Sequence, residues 1–220
     1  MRIVLLGPPG AGKGSLALLC NTRLGIAHVS TGEIFRQEIA RQSALGRRVG
    51  RYVTSGRLVP DGLVVHVMAA VLRRKQFARG FVLDGFPRTA AQATGLDHVL
   101  KRQQQPLDGA VYISSPEALL IRRLSGRRVC ERCGANYHIR TMRPKHPGEC
   151  DRCHGRLTTR NDDQPVTIKK RLVIARKTMT PLLAYYKRQR LLYRVNGIGH
   201  INTVFVRAIT LFRRRGWLRL

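Results

Sequence analysis

The nine residues from Gly7 to Ser15, GPPGAGKGS, constrain the fold more than any other stretch of the chain. They follow a short apolar run, Ile3 to Leu6, and lead into a helical pattern from Lys13 to Arg23. An apolar run bounded by turn residues is typical of a strand buried on both faces. The order strand, glycine loop, helix predicts a phosphate site built from backbone N–H groups, the positive helix end and the charge of Lys13.

The loop departs from the usual phosphate-binding pattern G-x-x-x-x-G-K-[ST] at its last position. Gly14 follows Lys13, and the hydroxyl group comes one residue later, on Ser15. Three interpretations are open at this point: a chance glycine-rich turn, a damaged nucleotide site, or a sub-type of the motif. The remaining sequence has to distinguish them.

Further strands are predicted at Gly80 to Asp84 and Gly109 to Ile113, and a fourth at Ile201 to Val206, with helical patterns between them. Strands that alternate with helices predict an α/β fold in which helices flank a parallel sheet on both sides. Ligands of such sheets bind at the carboxyl ends of the strands, where Gly7 and Asp84 lie.

Two segments interrupt this alternation. Residues 30 to 60 are helical and punctuated by glycine, and residues 126 to 163 are rich in Arg, Cys and Gly but poor in large apolar residues. The chain has 220 residues, of which 43% are apolar, enough for one buried core without disulfide bonds. We therefore expect one core domain with two insertions rather than separate domains.

Polar residues that could serve this site stand at the start of the first insertion and after the predicted second strand. Ser30 and Glu33 form a capping box, a pattern that needs no function, and Arg36 one turn later could simply be solvated. Asp84, however, ends a buried strand at the place where nucleotide sites hold magnesium, and Arg88 can bind a phosphate group through two hydrogen bonds.

Four of the five cysteines form two C-x-x-C pairs separated by sixteen residues. This spacing is typical of structural zinc sites in which four thiolates surround the metal, and it predicts zinc bound by Cys130, Cys133, Cys150 and Cys153. A disulfide or redox pair, or His138 or His154 as a fourth ligand, are the alternatives. Cys20 lies on an apolar helix face and is expected in the core.

Charge and hydropathy limit the partners and the location. The chain carries 41 Lys and Arg against 12 Asp and Glu, a net charge of +29, spread from Arg2 to Arg219. Such charge favours nonspecific binding to nucleic acid, and biased composition explains it equally well. No apolar run approaches the roughly 20 residues of a membrane span, and the amino-terminal apolar run is too short for a signal peptide. We expect a cytoplasmic monomer that binds no membrane.

The carboxyl-terminal tail predicts a helix from Thr203 to Arg215, with Val204, Ala208, Leu211 and Phe212 along one core-facing side. The basic end, Arg213 to Trp217, could contact RNA or an anionic membrane. Three arginines at a helix carboxyl end also complement the helix dipole, and we favour this second interpretation.

Together these elements resemble the adenylate kinase family, in the form whose lid carries zinc, over residues 1 to about 202. The resemblance rests on the motifs GPPGAGKGS, STGEIFR, GRLVPDGLV, GFVLDGFPRTAAQA, RLSGRR, the paired cysteines, LTTRNDD and TPLLAYY. The family's own loop has glycine after the lysine and the hydroxyl one residue later. The departure at Gly14 is therefore the signature of a sub-type.

The resemblance implies the phosphoryl transfer ATP + AMP = 2 ADP with Mg²⁺, and it implies a role for each matching position. ATP would bind Gly10, Ala11, Gly12, Lys13, Gly14, Ser15, Arg123 and Arg127. AMP would bind Thr31, Arg36, Arg57, Val59, Gly85, Arg88, Gln92, Arg160 and Arg171. Lys13, Asp84, Arg88, Arg123, Arg127, Arg160 and Arg171 would act in catalysis, Asp84 by orienting magnesium through water, and Asp162 and Asp163 would anchor the lid hinge.

The implied domains are a core of residues 1–29, 61–125 and 164–220, an AMP-binding insertion of residues 30–60 and a zinc-bearing lid of residues 126–163. The chain departs from the family pattern at Leu16, Pro165, Val166 and Asn196 and in its ending RRRGWLRL. Pro165 suits a first helical turn, which Asp163 could cap. Two other functions remain conceivable: another nucleoside monophosphate kinase, or a nucleic-acid-binding protein on a kinase scaffold.

Overall fold

The structure, a computed structural model, describes residues 1–218 and contains two sheets. The strands are β1 (Arg2–Leu6), β2 (Ala27–Ser30), β3 (Phe81–Asp84), β4 (Gly109–Ser114), β5 (Arg127–Cys130), β6 (Asn136–His138), β7 (Leu157–Thr158) and β8 (Leu192–Asn196). The larger sheet has the order β2-β3-β1-β4-β8, and its neighbouring strands all pair in parallel.

Helices cover both faces of this sheet. They are α1 (Lys13–Leu24), α2 (Thr31–Ala40), α3 (Ala44–Thr54), α4 (Asp61–Leu72), α5 (Ala90–Arg102), α6 (Glu117–Ser125), α7 (Pro165–Arg188) and α8 (Ile201–Arg214), with short 3-10 turns at Lys75–Phe77 and Asn161–Asp163. Successive residues of β1 point to opposite faces, so Val4 packs with α4 and α5 while Ile3 packs with α1 and α8. The predicted α/β fold with a parallel sheet is confirmed.

The register of the strands brings their carboxyl ends together. Asp84 at the end of β3 pairs with Leu5 of β1 and with Ser30 of β2. The loop after β1, the start of α2 and the turn after β3 consequently share one edge of the sheet. This is the edge at which parallel α/β sheets bind their ligands.

The smaller sheet is antiparallel, has the order β6-β5-β7 and lies within residues 126 to 163. Its buried cluster contains only Cys130, Ala135, Tyr137 and Cys150. So small a cluster buries little apolar surface, because three of its four members are an alanine and two cysteines. This sheet therefore needs stabilisation from another source.

One strand predicted from the sequence is wrong, and two strands of the large sheet were not predicted. The segment Ile201 to Val206 is not a strand but the first part of α8, and the fifth strand of the large sheet is β8. Short runs of β-branched residues do not distinguish strand from helix, and here the helical repeat continues to Phe212. Strand β2 was not predicted, because Ala27–Ser30 contains only one large apolar residue, Val29.

The tail agrees with the predicted helix. Val204, Ala208 and Phe212 are buried, and Leu211 is half-buried. Trp217 packs edge-on against Tyr193, with ring centroids 5.0 Å apart, while Arg213 to Arg215 are exposed. The last two residues of the ending RRRGWLRL lie outside the described part of the chain. None of the helices within residues 1–218 has the length and apolar composition of a membrane span.

The departures from the family pattern are accommodated locally. Leu16 lies on α1 and is fully buried in the core. Pro165 occupies the first turn of α7 as expected, but Asp163 does not cap this helix; Gln164 is the cap residue, and its side chain makes no capping bond. Asn196 Oδ1 accepts a hydrogen bond from Ile198 N at 2.9 Å, the same contact that an aspartate could make in this turn.

Candidate active site

The glycine loop lies between β1 and α1 and depends on backbone conformations that favour glycine. Gly10 and Gly12 have φ of 82° and 96°, in the left-handed region. A side chain on Gly10 would also place its first carbon 2.9 Å from Leu120 O. Lys13 Nζ donates to Gly7 O at 2.7 Å and to Pro8 O at 2.9 Å, which holds the ammonium group over the loop.

The position of Gly14 explains the departure from the common motif. A first side-chain carbon at Gly14 would lie 3.0 Å from Asp84 Oδ2, so a serine or threonine there would press on this carboxylate. Glycine lets Asp84 approach the loop, and the hydroxyl of Ser15 follows one residue later. The carboxylate of Asp84 therefore lies close to the space that a side chain at position 14 would need.

The charges of Lys13 and Asp84 depend on each other. Loss of hydration lowers the pKa of Lys13 to about 8, with Asp84 opposing this shift and Arg88, Arg171 and Arg127 adding to it. Burial opposes ionisation of Asp84, but His28 and Lys13 outweigh it and hold the pKa of Asp84 below its ordinary value. Asp84 is therefore ionised at neutral pH and available as an oxygen ligand for a hard cation.

A second group of predicted residues surrounds the turn after β3. Thr31 Oγ1 donates to Asp84 O at 3.4 Å, and Arg88 Nε donates to Gly85 O at 2.9 Å. Gly85 has φ of 81°, and a side chain there would lie 2.9 Å from Thr31 Oγ1. Arg36, on α2, lies against Gly32. These side chains face the same space as the glycine loop.

Gln92 is almost completely buried, and both ends of its amide group are bonded. Its Oε1 accepts from Arg88 N at 2.7 Å, and its Nε2 donates to Asp61 Oδ1 at 2.8 Å. A backbone N–H can only donate and a carboxylate can only accept, so only this orientation of the amide satisfies both neighbours. Asp61, which the sequence analysis missed, therefore fixes which amide atom is the donor and which the acceptor.

Arg57 and Val59 follow α3 and line the same space as Gln92. Val59 is buried, whereas Arg57 is exposed and donates from Nε to Ser55 Oγ at 3.0 Å. The Arg57 guanidinium also lies 5.7 Å from the centre of the Tyr52 ring. Val59 thus gives this space an apolar surface, and Arg57 adds a positive charge at its solvent-exposed border.

Asp163 organises two of the predicted arginines. Its side chain is fully buried and accepts from Arg127 Nε and Nη2 at 2.7 and 2.6 Å, and from Arg171 Nη1 at 2.9 Å. Arg171 Nη1 also lies 3.0 Å from Asp162 Oδ2. Burial opposes ionisation of Asp162, but Arg171 and Arg127 outweigh it and lower the pKa of this carboxyl group. Two carboxylates thus hold two guanidinium groups in fixed positions.

The remaining predicted cations have fewer counterions. Arg123 Nη2 donates to Gly197 O and Gly199 O at 2.9 and 3.0 Å, and Arg160 Nη2 donates to Asn136 Oδ1 at 3.1 Å. Burial, together with repulsion from Arg127 and Arg36, lowers the pKa of Arg160 to about 9. Burial is the largest cause of this lowered pKa, and a polyanionic ligand would relieve the repulsion that adds to it.

One cleft of about 1120 Å³ brings these groups together. Its lining includes Gly10, Ala11, Gly12, Lys13, Gly14, Ser15, Thr31, Arg36, Arg57, Val59, Asp84, Gly85, Arg88, Gln92, Arg123, Arg127, Arg160, Asp162 and Arg171. Asp163 lies behind Arg127 and Arg171, outside the lining. The cleft also contains residues that the sequence analysis did not select, among them Asn136 and Gly199, whose neighbours become visible only in the fold.

The four paired cysteines form a compact cluster. Their Sγ atoms lie within 4.8 Å of one another, and all four are free thiols. Burial opposes ionisation of Cys150, but hydrogen bonds from Tyr137 and from backbone N–H groups outweigh it and lower its pKa to about 6. The donor set, four sulfur atoms around one point, is compatible with zinc.

The two histidines near this cluster are engaged elsewhere. His138 Nδ1 accepts from Arg140 N and Thr141 N at 3.1 and 3.2 Å, and its Nε2 lies 3.3 Å from Arg122 O. His154 Nδ1 is paired with Glu149. Neither histidine belongs to the thiol cluster in the structure, so the four cysteines remain the candidate metal ligands.

Comparisons with known proteins agree with this geometry. The family model for adenylate kinase matches residues 5–191. The chain is 47% identical over 205 residues to an adenylate kinase of Clostridium botulinum strain Langeland, covering 93% of this chain and 95% of the relative. It is 45% identical over 217 residues to one from Moorella thermoacetica, covering 99% and 100%. It is 42% identical over 205 residues to one from Methanothrix thermoacetophila, covering 93% and 95%.

Proposed function

The chain belongs to the adenylate kinase family and catalyses ATP + AMP = 2 ADP, and we propose that the transfer takes place in the cleft described above. The observation that supports this assignment is the convergence of Lys13 and the seven arginines selected from the sequence on one cleft, which the ionised carboxylate of Asp84 also lines. Such a site suits phosphoryl transfer, in which positioning and neutralisation of charge supply most of the catalysis.

On the donor side, the N–H groups from Gly10 to Ser15 would bind the ATP phosphates, with Lys13 exchanging its two carbonyl partners for phosphate oxygens. The family uses Mg²⁺ with ATP, and Asp84 fits this cation because it offers a carboxylate oxygen next to the loop. When bound, Mg²⁺ would neutralise phosphate charge. Asp84 would orient it through water.

On the acceptor side, Arg36 and Arg88 would bind the phosphate of AMP, near the start of α2 and its Thr31. The adenine would lie between Val59 and the amide of Gln92. Each atom of this amide keeps one hydrogen-bonding direction unused after its bonds to Arg88 N and Asp61. An acceptor beside a donor matches the amino group and N1 of adenine and opposes the corresponding edge of guanine.

The transferring phosphoryl group would lie among the cations contributed by α6, β5, α7 and the segment before α7. These cations are Arg123, Arg127, Arg160 and Arg171. Arg123 would exchange the carbonyl groups of Gly197 and Gly199 for phosphate oxygens. Arg127 and Arg171 are already positioned by Asp163, so little reorganisation would be needed when ligands bind.

We assign residues 1–29, 61–125 and 164–220 to a core domain, and we propose that the other two segments close over the substrates. Residues 30–60 would cover AMP, and residues 126–163 would cover ATP. Closure would exclude the water that otherwise hydrolyses ATP. Asp162 and Asp163, at the boundary of the second segment, would anchor its hinge to α7.

The decisive test is a coupled assay for ADP formed from ATP and AMP, with UMP and GMP as competing acceptors. We expect AMP to be strongly preferred, because the Gln92 amide is held in the orientation complementary to adenine. A preference for UMP or GMP would assign the chain to a different acceptor, and no transfer to any of the three would contradict the proposed site.

Replacing Asp61 with alanine is expected to raise the KM for AMP about tenfold and to weaken discrimination against GMP, with kcat little changed. The reason is the loss of one hydrogen bond to a charged group, which leaves the Gln92 amide free to turn. Asp61→Asn keeps an acceptor oxygen and should behave nearly as the unaltered enzyme. An unchanged KM in the alanine variant would show that Arg88 N alone orients the amide.

We propose that Cys130, Cys133, Cys150 and Cys153 bind one structural Zn²⁺ that stabilises the small sheet. The fit rests on four free thiols converging on one point in a segment with little core of its own. Structural zinc sites of small modules supply on the order of 10 to 16 kcal/mol. Free thiols persist in reducing compartments, which supports a cytoplasmic location, and we propose a monomer.

Metal analysis of the purified protein is expected to find about one zinc per chain. Cys150→Ser should release the metal and increase hydrogen exchange in residues 126–163 more than in the parallel sheet, because the thiolates join the end of β5 to turns that share little apolar surface with it. Cys20→Ala, outside the cluster, should retain the metal. Absence of zinc together with oxidised cysteine pairs would contradict the proposal.

A further inference from the structure

We propose that single-stranded RNA binds, through its phosphate backbone, to the end of the parallel sheet at which the strands begin, opposite the cleft. The binding surface, called the basic edge below, consists of three pairs of cations at the carboxyl ends of α4, α5 and α7. The pairs are Arg73 with Arg74, Lys101 with Arg102, and Lys187 with Arg188. All six side chains are exposed.

The topology of the sheet brings the three pairs to one edge. Short connections join α4 to β3, α5 to β4 and α7 to β8, the first of them containing the 3-10 turn Lys75–Phe77, so each helix ends near the start of a strand. The strands begin nearly level, since Arg2 pairs with Phe81 and Ala110 pairs with Leu192. Strands lie roughly 4.8 Å apart, so β3, β1, β4 and β8 together span only about 15 Å. The pairs therefore form one continuous strip of charge.

None of the six cations forms an ion pair with an acidic side chain within residues 1–218. Helix α7 contains no acid, and α4 has only Asp61, at its opposite end. Asp97 on α5 accepts hydrogen bonds from Tyr185 Oη and Gln189 Nε2, and the nearby Asp108 accepts one from Arg2 N; these neutral donors leave both charges in place. The six cations are therefore free to attract an anionic ligand.

A depression of about 250 Å³ lies within the basic edge and adds polar groups to the charges. Arg73, Arg74, Gln103 and Gln105 line it. The Oε1 atoms of both glutamines are buried and have no hydrogen-bond partner among the described residues. Buried polar atoms are normally paired, so both amide groups would have to turn outward before these acceptors could meet a hydroxyl group of the strand.

The surroundings favour a flexible nucleic acid strand over a membrane or a duplex. The large apolar side chains exposed in residues 1–218 do not lie on α4, α5 or the last turns of α7, so the edge offers no anchor for a lipid surface. Duplex DNA is commonly read by a helix lying in the major groove, whereas here the helices present only their ends. Paired cations along a strip suit the backbone of a single strand.

The test compares two triple variants with the same change of charge. The edge variant carries Arg74→Glu, Lys101→Glu and Lys187→Glu, and the control variant carries Lys169→Glu, Lys170→Glu and Lys177→Glu, all exposed on α7. The probe is a labelled 20-nucleotide oligouridine, titrated at several salt concentrations. None of the six side chains lines the cleft, so both variants should keep ATP:AMP transfer.

We expect the edge variant to lose affinity by about 100-fold near 0.1 M salt, and the slope of log K against log salt to fall by about 2, as three phosphate contacts are lost. The control variant should lose far less and keep its slope. Equal losses in both variants would overturn the proposal in favour of scattered charge. Tighter binding to duplex DNA of the same length, or to anionic phospholipid vesicles, would also overturn it.

Discussion

Lys13→Ala is expected to lower kcat/KM by about 10³-fold without changing the melting temperature by more than a few degrees. The lysine contributes a full positive charge at the loop and no apolar packing, since its hydrogen bonds go to the carbonyl groups of Gly7 and Pro8. Removal of a single charged group at a phosphoryl-transfer site costs rate rather than stability. Steady-state kinetics and thermal unfolding of the same preparation measure the two effects.

The matched control is Lys177→Ala, an exposed lysine on α7 that does not line the cleft. It should leave kcat/KM near that of the unaltered enzyme. Arg88→Ala and Arg123→Ala should reproduce the Lys13 result, because each removes a cation from the same cleft. Near-normal rates in all three cleft variants would exclude phosphoryl transfer at this site.

The pH dependence gives an independent check of the Lys13 environment. In the protein without ligands the pKa of Lys13 is lowered to about 8, so its charge is present below that pH and is lost above it. The kcat/KM profile reports on groups of the free enzyme. It should therefore fall as pH rises through about 8, and Lys13→Ala should abolish this descending limb.

The sequence identified the donor side of the cleft because its signals are local. A strand, a glycine loop and a lysine lie within thirteen residues, and Asp84 ends the strand that the register places beside β1. The rule that parallel strands bind ligands at their carboxyl ends then joins the two segments. The effect of Gly14 on Asp84 became visible only with the fold, since it depends on a distance across two strands.

The contacts that position these residues were not predictable in the same way. The hydrogen bond between Asp61 and Gln92 joins residues 31 apart and depends on how α4 packs against α5. Asp163 was expected to cap α7 because it stands just before Pro165, but it instead binds Arg127 and Arg171. Local propensity is weak evidence where a buried charge needs cationic partners.

The strand and helix assignments near the carboxyl terminus show the limit of short patterns. Ile201 to Val206 contains several β-branched residues and fits a strand over six positions, whereas over fourteen positions it fits a helix. Strand β8 has an exposed Arg194 at its centre because it lies at the edge of the sheet. Edge strands bury less of their surface, so their apolar pattern is weaker.

Asp163→Ala is expected to lower the free energy of unfolding by about 3 to 5 kcal/mol, because it leaves two partly buried guanidinium groups without their shared carboxylate. For a chain of this size that corresponds to a fall in melting temperature of roughly 10 °C. The same change should reduce kcat strongly, since Arg127 and Arg171 would no longer be held toward the cleft. Thermal unfolding and the coupled assay measure both effects.

The control for this change is Glu117→Ala, which removes a carboxylate from an exposed pair with Arg176. An exposed pair contributes at most about 1 kcal/mol, so the melting temperature should hardly change, and Glu117 lies outside the cleft lining. Asp163→Asn should fall between the two, because an amide keeps the shape and one acceptor but loses the charge. Equal, small effects of the changes at Asp163 and Glu117 would mean that Asp163 does not organise the arginines. A loss of stability with kcat preserved would restrict its role to holding α7 against β5.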